Sequence, residues 1–394
     1  MVVPRDLDVH YLTPVSYPAD DPTCGTITTH YDYHSINDRI VKLDILGHDD
    51  PTMIRMLDNM LGEGYCKNIP VGDPDTMELF LSTKSIGVSP EDIMTDVATY
   101  GVPECGTRFV RQMISDVKPK NFSDLLRISG YSHGTDVWLN NAQDLIKNGT
   151  PTEDTISTRD DIMNWLINKG MEPSMAFGIM EWARKGKAHK QGFKAEQEEA
   201  FKKANIPEFY IKSCKTLQYL FPKAHAVAYV LSAYRIAYCK VHHPKEFYSA
   251  YFTIRAPKFD FVEVHKGINF MRSFIKNVGQ QGTKASVNDK ETATYMELAV
   301  EMLARGFEFE DVDLYRSDAH QFIVTDKGLL PPLGAIGGIG GVAAENIVKA
   351  RSKGPFISRE DLRNRAKISN TAVEVLADLG VLEGLPETDQ IELF

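Results

Sequence analysis

The chain has 394 residues, 43% of them hydrophobic and 25% charged, which gives enough apolar mass for two or three buried cores in an ordinary globular composition. A net charge of −10 excludes a uniformly basic nucleic-acid binder, so any such contact must come from local patches. No apolar run approaches a bilayer span, the N-terminal MVVPRDLDVHYL lacks the layout of a signal peptide, and Cys24, Cys66, Cys105, Cys214 and Cys239 are odd in number and never paired as Cys-x-x-Cys; a cytoplasmic protein with reduced thiols, no zinc site and no membrane partner is expected.

Residues 1–34 carry Pro4, Pro14, Pro18 and Pro22 and few helix-forming runs, and read as the last strands and loops of a domain. Arg39 to Leu46 alternates charged and apolar residues at the period of a half-buried strand, closed by Gly47. Lys42 and Asp44 then share a face. An ammonium and a carboxylate so placed can grip a phosphate and a divalent cation together, although a solvent-side ion pair is the commoner outcome of this spacing. His30 and His34, with Asp32, Asp38, His48, Asp49 and Asp50 close in sequence, also admit a metal-dependent phosphohydrolase. Against it, His-x-x-x-His converges on a helix, whereas THYDYHS reads as extended or turn.

From Pro51 the period is helical: Ile54, Leu57 and Leu61 form a stripe widened by Met53 and Met60, and Gly62 and Gly64 close it. A second helix is predicted over Asp73 to Leu81, capped by Asp73 or Asp75, and a third from Ser89 with Asp92 completing a capping box. Arg108 and Arg111 lie on adjacent turns before a helix that Pro119 stops, and Asn121 or Ser123 can cap the next, SDLLRIS. After Gly130, the residues Ser132, His133, Gly134, Thr135 and Asp136 are expected to form a polar turn opening a helix at Val137. Such a turn offers free backbone donors to a phosphate or a base edge, though most are plain capped connections.

Residues 147–220 are helical and increasingly basic. Glu181 to Lys223 holds ten Lys or Arg against five Glu, which fits a nucleic-acid patch and a solvated helix face equally well. Lys223, His225, Tyr229 and Arg235 then sit on one helix and its approach, among Ala224, Ala226 and Ala228. Small residues let a flat base come close, tyrosine can stack on it, and Lys and Arg neutralise phosphates. Tyr229, Tyr234 and Tyr238 could equally be core packing at helical spacing. Amphipathic helix is predicted over 256–290 and from Thr292 to Arg305, followed by extended FEFEDVDLY and HQFIVTDKGLLPP with a hairpin turn at Asp326 to Gly328.

Gly338, Ile339 and Gly340 form a G-h-G turn placed between two helices, with Ala344, Ile347, Lys349 and Arg351 on the second. This is the helix-hairpin-helix pattern, in which glycines let backbone amides approach a DNA phosphate; a Gly-rich turn in a plain helical hairpin is the alternative. Ser358 to Gly384 reads as a degenerate second copy. The GIGG follows no strand and no Walker loop is present, which excludes a dinucleotide or P-loop site. Pro386 to Phe394 reads as an exposed tail in which Gln390 can anchor an extended peptide while Ile391, Leu393 and Phe394 fill a preformed groove.

The run VKLDILGHDDPTMIRML resembles the third active-site segment of the bacterial family C replicative DNA polymerases, of the PolC-type DNA polymerase III alpha subunit. RISGYSHGTDVW resembles a nucleotide-pocket segment of that family's fingers, the Lys-Ala-His-x-x-Ala-Tyr pattern from Lys223 to Tyr229 resembles its dNTP-facing helix, and the ending QIELF resembles the peptide by which replication proteins dock on the sliding clamp. The resemblance covers essentially the whole chain. It implies a mainly α protein with a small α/β N-terminal remnant: the end of a polymerase palm over 1–50, a large helical fingers domain over 51–284, a duplex DNA-binding domain with tandem helix-hairpin-helix over 285–384, and a clamp-binding peptide over 385–394.

It also implies two-metal transfer of dNTP to a primer 3′ end, with Asp44 among three carboxylates that hold two Mg2+ and Lys42 on the triphosphate. Ser132, His133, Gly134, Lys223, His225, Tyr229 and Arg235 would meet the nucleotide, leaving Tyr234 and Tyr238 to the core. Partners would be primer-template DNA, the beta clamp and other replisome subunits. The family's first two catalytic aspartates, and its exonuclease and phosphoesterase-like domains, lie upstream of anything in this sequence. The chain is therefore expected to be the C-terminal part of a longer polymerase, and by itself an inert DNA- and clamp-binding module, because one carboxylate cannot position two metals.

Overall fold

Residues 2–43, 45 and 47–388 are described in a computed structural model of the chain, and they fall into two units, 1–48 and 49–394. In the first unit, β1 (Val15–Ser16) pairs antiparallel with β2 (Thr28–Thr29), and the remainder is turns and single 3-10 turns. Three of these turns are capped by aspartates, Asp8, Asp21 and Asp32, whose carboxylates accept the amides of His10, Thr23 and His34.

The strand expected over 39–46 does not form among the described residues. Ile36 to Ile40 is a turn in which the Arg39 and Ile40 amides donate to the Ile36 carbonyl, and Val41 makes an isolated antiparallel bridge to Val2. An alternating pattern becomes a strand only where a neighbour takes up its amides and carbonyls. Here Ile40 is buried while Val41, Leu43 and Ile45 are exposed.

The second unit is helical. It begins with α1 (Asp49–Leu61), which buries Met53 and Leu57 and is followed by Gly62 at φ +123°. Next come α2 (Pro74–Glu78), whose N-cap Asp73 accepts the Thr76 amide at 2.8 Å, and α3 (Pro90–Ile93), opened by the Ser89–Asp92 capping box. The helix that Pro119 stops, α4 (Arg108–Val117), contains Arg108 and Arg111 instead of following them. Arg111 is buried, stacked on Tyr100 at 4.4 Å and paired with Glu297.

The next helix, α5 (Phe122–His133), starts at Asn121 as expected but does not end at Gly130. A Cβ at residue 130 would lie 2.6 Å from the Ser157 carbonyl oxygen, so this glycine serves close packing and the helix runs through it. Ser132 and His133 thus occupy the last turn of a helix, where carbonyls and not amides are left over, and the stretch after Gly134 is irregular. The expected donor-rich turn is not there.

A layer of shorter helices follows: α6 (Gln143–Lys147), α7 (Arg159–Asn168), α8 (Pro173–Arg184), α9 (Lys187–Gln191), α10 (Ala195–Lys203) and α11 (Glu208–Thr216). Part of its positive charge is used internally, since Lys187 and Lys194 both lie over the Trp182 ring, at 4.9 and 5.1 Å. The hub is α12 (Lys223–His242), which packs on α1, α5 and α13 (Pro244–Ile254). Then come α14 (Phe261–His265), α15 (Ile268–Gln281) and α16 (Val287–Ala304). Where α12, α13 and α16 meet, Lys240 and Glu301 are fully buried and paired at 2.8 Å.

A small sheet of order β3-β5-β4 follows, from Glu308–Phe309, Gly328–Leu330 and Ile323–Val324, with β4 and β5 joined by the turn at 325–328. The chain then builds α17 (Gly341–Arg351), α18 (Arg359–Ala366) and α19 (Asn370–Asp378). With 58% helix and 4% strand, the fold is mainly α with small sheets, as the sequence implied.

Candidate functional site

Two motifs far apart in sequence are brought together at the end of α5 and the start of α12. The join is made by backbone: the Thr135 amide donates to the Tyr219 carbonyl at 3.0 Å, and the Gln218 amide returns a bond to Thr135 at 3.2 Å. Close approach is required, because a Cβ at Gly134 would collide with Val137 and lie 2.8 Å from the Tyr219 carbonyl oxygen. The result is an aromatic cluster. His225 stacks on Phe221 with centroids 4.7 Å apart, and the Tyr229 ring lies 4.6 Å from His225. From α5, His133 meets His225 edge-on at 5.3 Å and tilts against Tyr229 at 6.0 Å.

Lys223 lies at the first turn of α12, beside this cluster in sequence. Pro222 has no capping side chain, and Asp160 supplies one by accepting the Lys223 amide at 2.6 Å. The Lys223 ammonium lies 3.5 Å from Asp161 and keeps 38% of its side chain exposed. Asp161 is buried and also accepts the amides of Ser157 and Thr158 and faces Arg127 at 3.7 Å. Burial alone would raise its carboxyl; Arg127, Ser157, Thr158 and Lys223 outweigh that and hold it below the usual range. The sequence reading missed Asp160, Asp161 and Phe221. The available signal was Thr158 followed three residues on by Asp161, a capping-box spacing at a helix start.

Not every expected residue reaches the cluster. Arg235, six residues beyond Tyr229, falls on another face of α12, with one guanidinium nitrogen 3.4 Å from the Lys67 carbonyl. Tyr234 is fully buried, its hydroxyl accepting the Gly72 amide, and Tyr238 packs against the core and the His242 ring. Lys42 belongs to the first unit, where its ammonium lies over the Tyr33 ring at 5.3 Å. Asp44 and the peptide residues Gln390, Ile391, Leu393 and Phe394 lie outside the described residues. His30 pairs with Ser16 at 3.0 Å and His34 sits in a 3-10 turn; among the described residues no group of three or more His, Cys, Asp or Glu could hold a metal ion.

In the hairpin module Gly338 takes φ +93°, Ile339 is buried, and Gly340 is the N-cap of α17. The element before the turn is a single 3-10 turn, Leu333–Ala335, in place of the expected first helix. Lys349 and Arg351 stand in the last turn of α17, about 15 Å from the glycines at 1.5 Å per residue, so they cannot share a phosphate with them. Arg351 is half-buried and donates to the Leu314 carbonyl at 2.7 Å, which makes it a structural group; Lys349 is exposed. The second copy is better formed than its sequence promised, with α18, the turn Lys367-Ile368-Ser369 and α19. The tail is tied further along than expected, the Arg359 and Glu360 amides donating to the carbonyls of Pro386 and Glu387.

Residues 50–206 match the bacterial DNA polymerase III alpha subunit finger domain, and residues 306–390 match a helix-hairpin-helix motif. The whole chain aligns with proteins named DNA polymerase III PolC-type: 53% identical in Oceanobacillus iheyensis, 51% in Bacillus subtilis and 49% in Caldanaerobacter subterraneus. It spans 27%, 27% and 28% of the length of those relatives.

Proposed function

Since the chain belongs to the PolC-type DNA polymerase III family, we propose that it supplies the nucleotide-binding fingers and the duplex-binding module of a replicative DNA polymerase that adds dNTPs to a primer 3′ end. The observation that carries this is the convergence of the α5 and α12 motifs in one cluster. Phe221, His225 and Tyr229 form one half-buried aromatic group suited to a base, and Lys223, steadied by Asp161, offers a cation to phosphate. Gly340 opens α17 without a side-chain cap, and the amides of that first turn suit the backbone of primer-template DNA.

Other parts of the proposal rest on the family alone. Asp44 would be one Mg2+ ligand, Lys42 a triphosphate contact, and Gln390 to Phe394 the clamp-docking peptide, tethered where Glu387 is pinned on α18, with further replisome subunits in the cytoplasm as partners. Bound Mg2+ would activate the primer hydroxyl and neutralise the leaving diphosphate. Since the resemblance places one of the three metal-holding carboxylates, Asp44, in the 394-residue segment, that segment by itself is expected to bind without catalysing.

The test is made in the full-length polymerase that carries this segment. Lys223→Ala and His225→Ala should each raise the dNTP KM or lower kcat by roughly tenfold, the size of one charged or stacked contact, with duplex affinity unchanged. A loss confined to thermal stability would overturn the assignment.

A further inference from the structure

His133 is held in a way that fixes its charge. Its Nδ1 lies 2.7 Å from the Ser129 carbonyl oxygen and its Nε2 lies 3.0 Å from a Glu104 carboxylate oxygen. A carbonyl and a carboxylate can only accept, and a neutral imidazole has one N–H to give. Both contacts are satisfied together only by the imidazolium. The ring also stands in the last turn of α5, where the unpaired carbonyls favour a cation.

Among the described residues, the other groups against the ring include three aromatic rings, one of them the titratable imidazole of His225, and two hydroxyls. The His225 and Tyr229 rings face it from α12 and Phe221 from the segment before α12. On its own helix Ser129 and Ser132 place hydroxyls 3.4 and 3.2 Å from Nδ1, and the Ser132 hydroxyl donates to the Ser129 carbonyl.

Glu104 is itself held at a cost. It adopts φ +64°, a left-handed conformation that disfavours a residue with a Cβ, in a turn fixed by the Cys105 amide on Val102 and the Thr99 hydroxyl on the Cys105 carbonyl. Glycine would fit that backbone better, so the carboxylate needs a reason other than the turn.

We propose that Glu104 is a positioning residue of the nucleotide site. It keeps His133 an imidazolium with both N–H groups committed inside the protein, so that His133 meets the phosphates of an incoming nucleotide as a fixed charge and not as a hydrogen-bond donor. This rests on reading the α5–α12 cluster as the nucleotide pocket. The shift of His133 above its ordinary value, from the Glu104 hydrogen bond first, against burial, and from Ser129, agrees with the geometry.

Two measurements test it. In the 394-residue chain with labelled histidine, the His133 resonance, identified by its loss in His133→Gln, should titrate above the ordinary value of about 6.5, and should fall toward that value in Glu104→Gln. In the full-length polymerase the rise of the dNTP KM with pH should follow His133 and set in at lower pH in Glu104→Gln than in the parent enzyme, with a KM roughly three- to tenfold higher between the two titrations, the scale of one partly screened charge contact. Glu104→Gly, which suits the left-handed backbone, should show the same pH-dependent KM with an unchanged or higher melting temperature, whereas a merely structural Glu104 would leave KM alone.

A His133 that titrates at the ordinary value, or is indifferent to Glu104, overturns the proposal. So does a titration that shifts in Glu104→Gln while KM does not follow. Lys223→Ala and His225→Ala in the same assay separate the failures: if they raise KM, only the Glu104 assignment falls, and if they do not, the pocket itself has been misread.

Discussion

Lys240 and Glu301 form a buried ion pair whose loss should be felt throughout the second unit. Both side chains are 0% exposed, and the ammonium, 2.8 Å from the carboxylate, also donates to the carbonyls of Ala98 and Tyr100 at 2.7 and 2.6 Å. The carboxylate takes the Tyr248 hydroxyl at 2.7 Å as well. Burial pulls the Lys240 ammonium down to about 8, with Glu301 opposing the shift. At an effective dielectric near 20 the charge pair is worth about 6 kcal/mol, most of it offset by desolvation; breaking it from one side leaves an uncompensated charge and costs about 3–5 kcal/mol. Glu301→Gln should therefore lose that amount in urea unfolding of the chain. Lys240→Met should lose more, because it also orphans two carbonyls. The double variant should cost less than the sum of the singles by at least about 1.5 kcal/mol. Additive losses, or a Glu301→Gln cost below about 1 kcal/mol, would refute the argument that the pair acts as a unit.

The Asp161 carboxylate, held below its unfolded value, contributes stability that is present above about pH 4 and lost as pH falls through its folded pKa; Asp161→Asn should shift acid unfolding to higher pH and flatten its onset. Gly130→Ala should destabilise by about 1–3 kcal/mol, although helix propensity alone favours alanine by about 1, because the new methyl would meet the Ser157 backbone; a more stable variant would show that α5 can shift. Lys349→Ala should reduce the salt dependence of duplex binding by about one unit of slope, whereas Arg351→Ala should lower the melting temperature with little change in that slope.

Local chemistry made the helices readable. Asp73, Ser89 with Asp92, and Asn121 cap helices because short acceptors satisfy orphan amides whatever the tertiary setting. What failed were inferences that depend on a neighbour. Arg39 to Leu46 has a strand's period, but a period does not supply a pairing partner. Gly130 reads as a helix stop until Ser157 is seen against it. The same division runs through the candidate site: Lys223, His225 and Tyr229 on α12 and His133 on α5 are visible in sequence, whereas the carboxylates that pair with Lys223 and His133, Asp161 and Glu104, come from other segments and announce themselves only as a cap and an ordinary loop residue.

The hairpin module repeats one turn with two outcomes. Gly338-Ile339-Gly340 and Lys367-Ile368-Ser369 share one layout: a residue at positive φ, a buried isoleucine and an N-cap. Lysine reaches φ +53° in the second turn, inside the left-handed region open to side chains, whereas Gly338 at φ +93° lies beyond it, where glycine is favoured. A second difference lies at the cap. Ser369 accepts the Ala372 amide through its own hydroxyl, while Gly340 has no side chain and, among the described residues, no side-chain bond covers the amides that open α17. Of the two turns, the first is therefore the one whose amides remain for an outside acceptor such as a phosphate, and the second closes on itself.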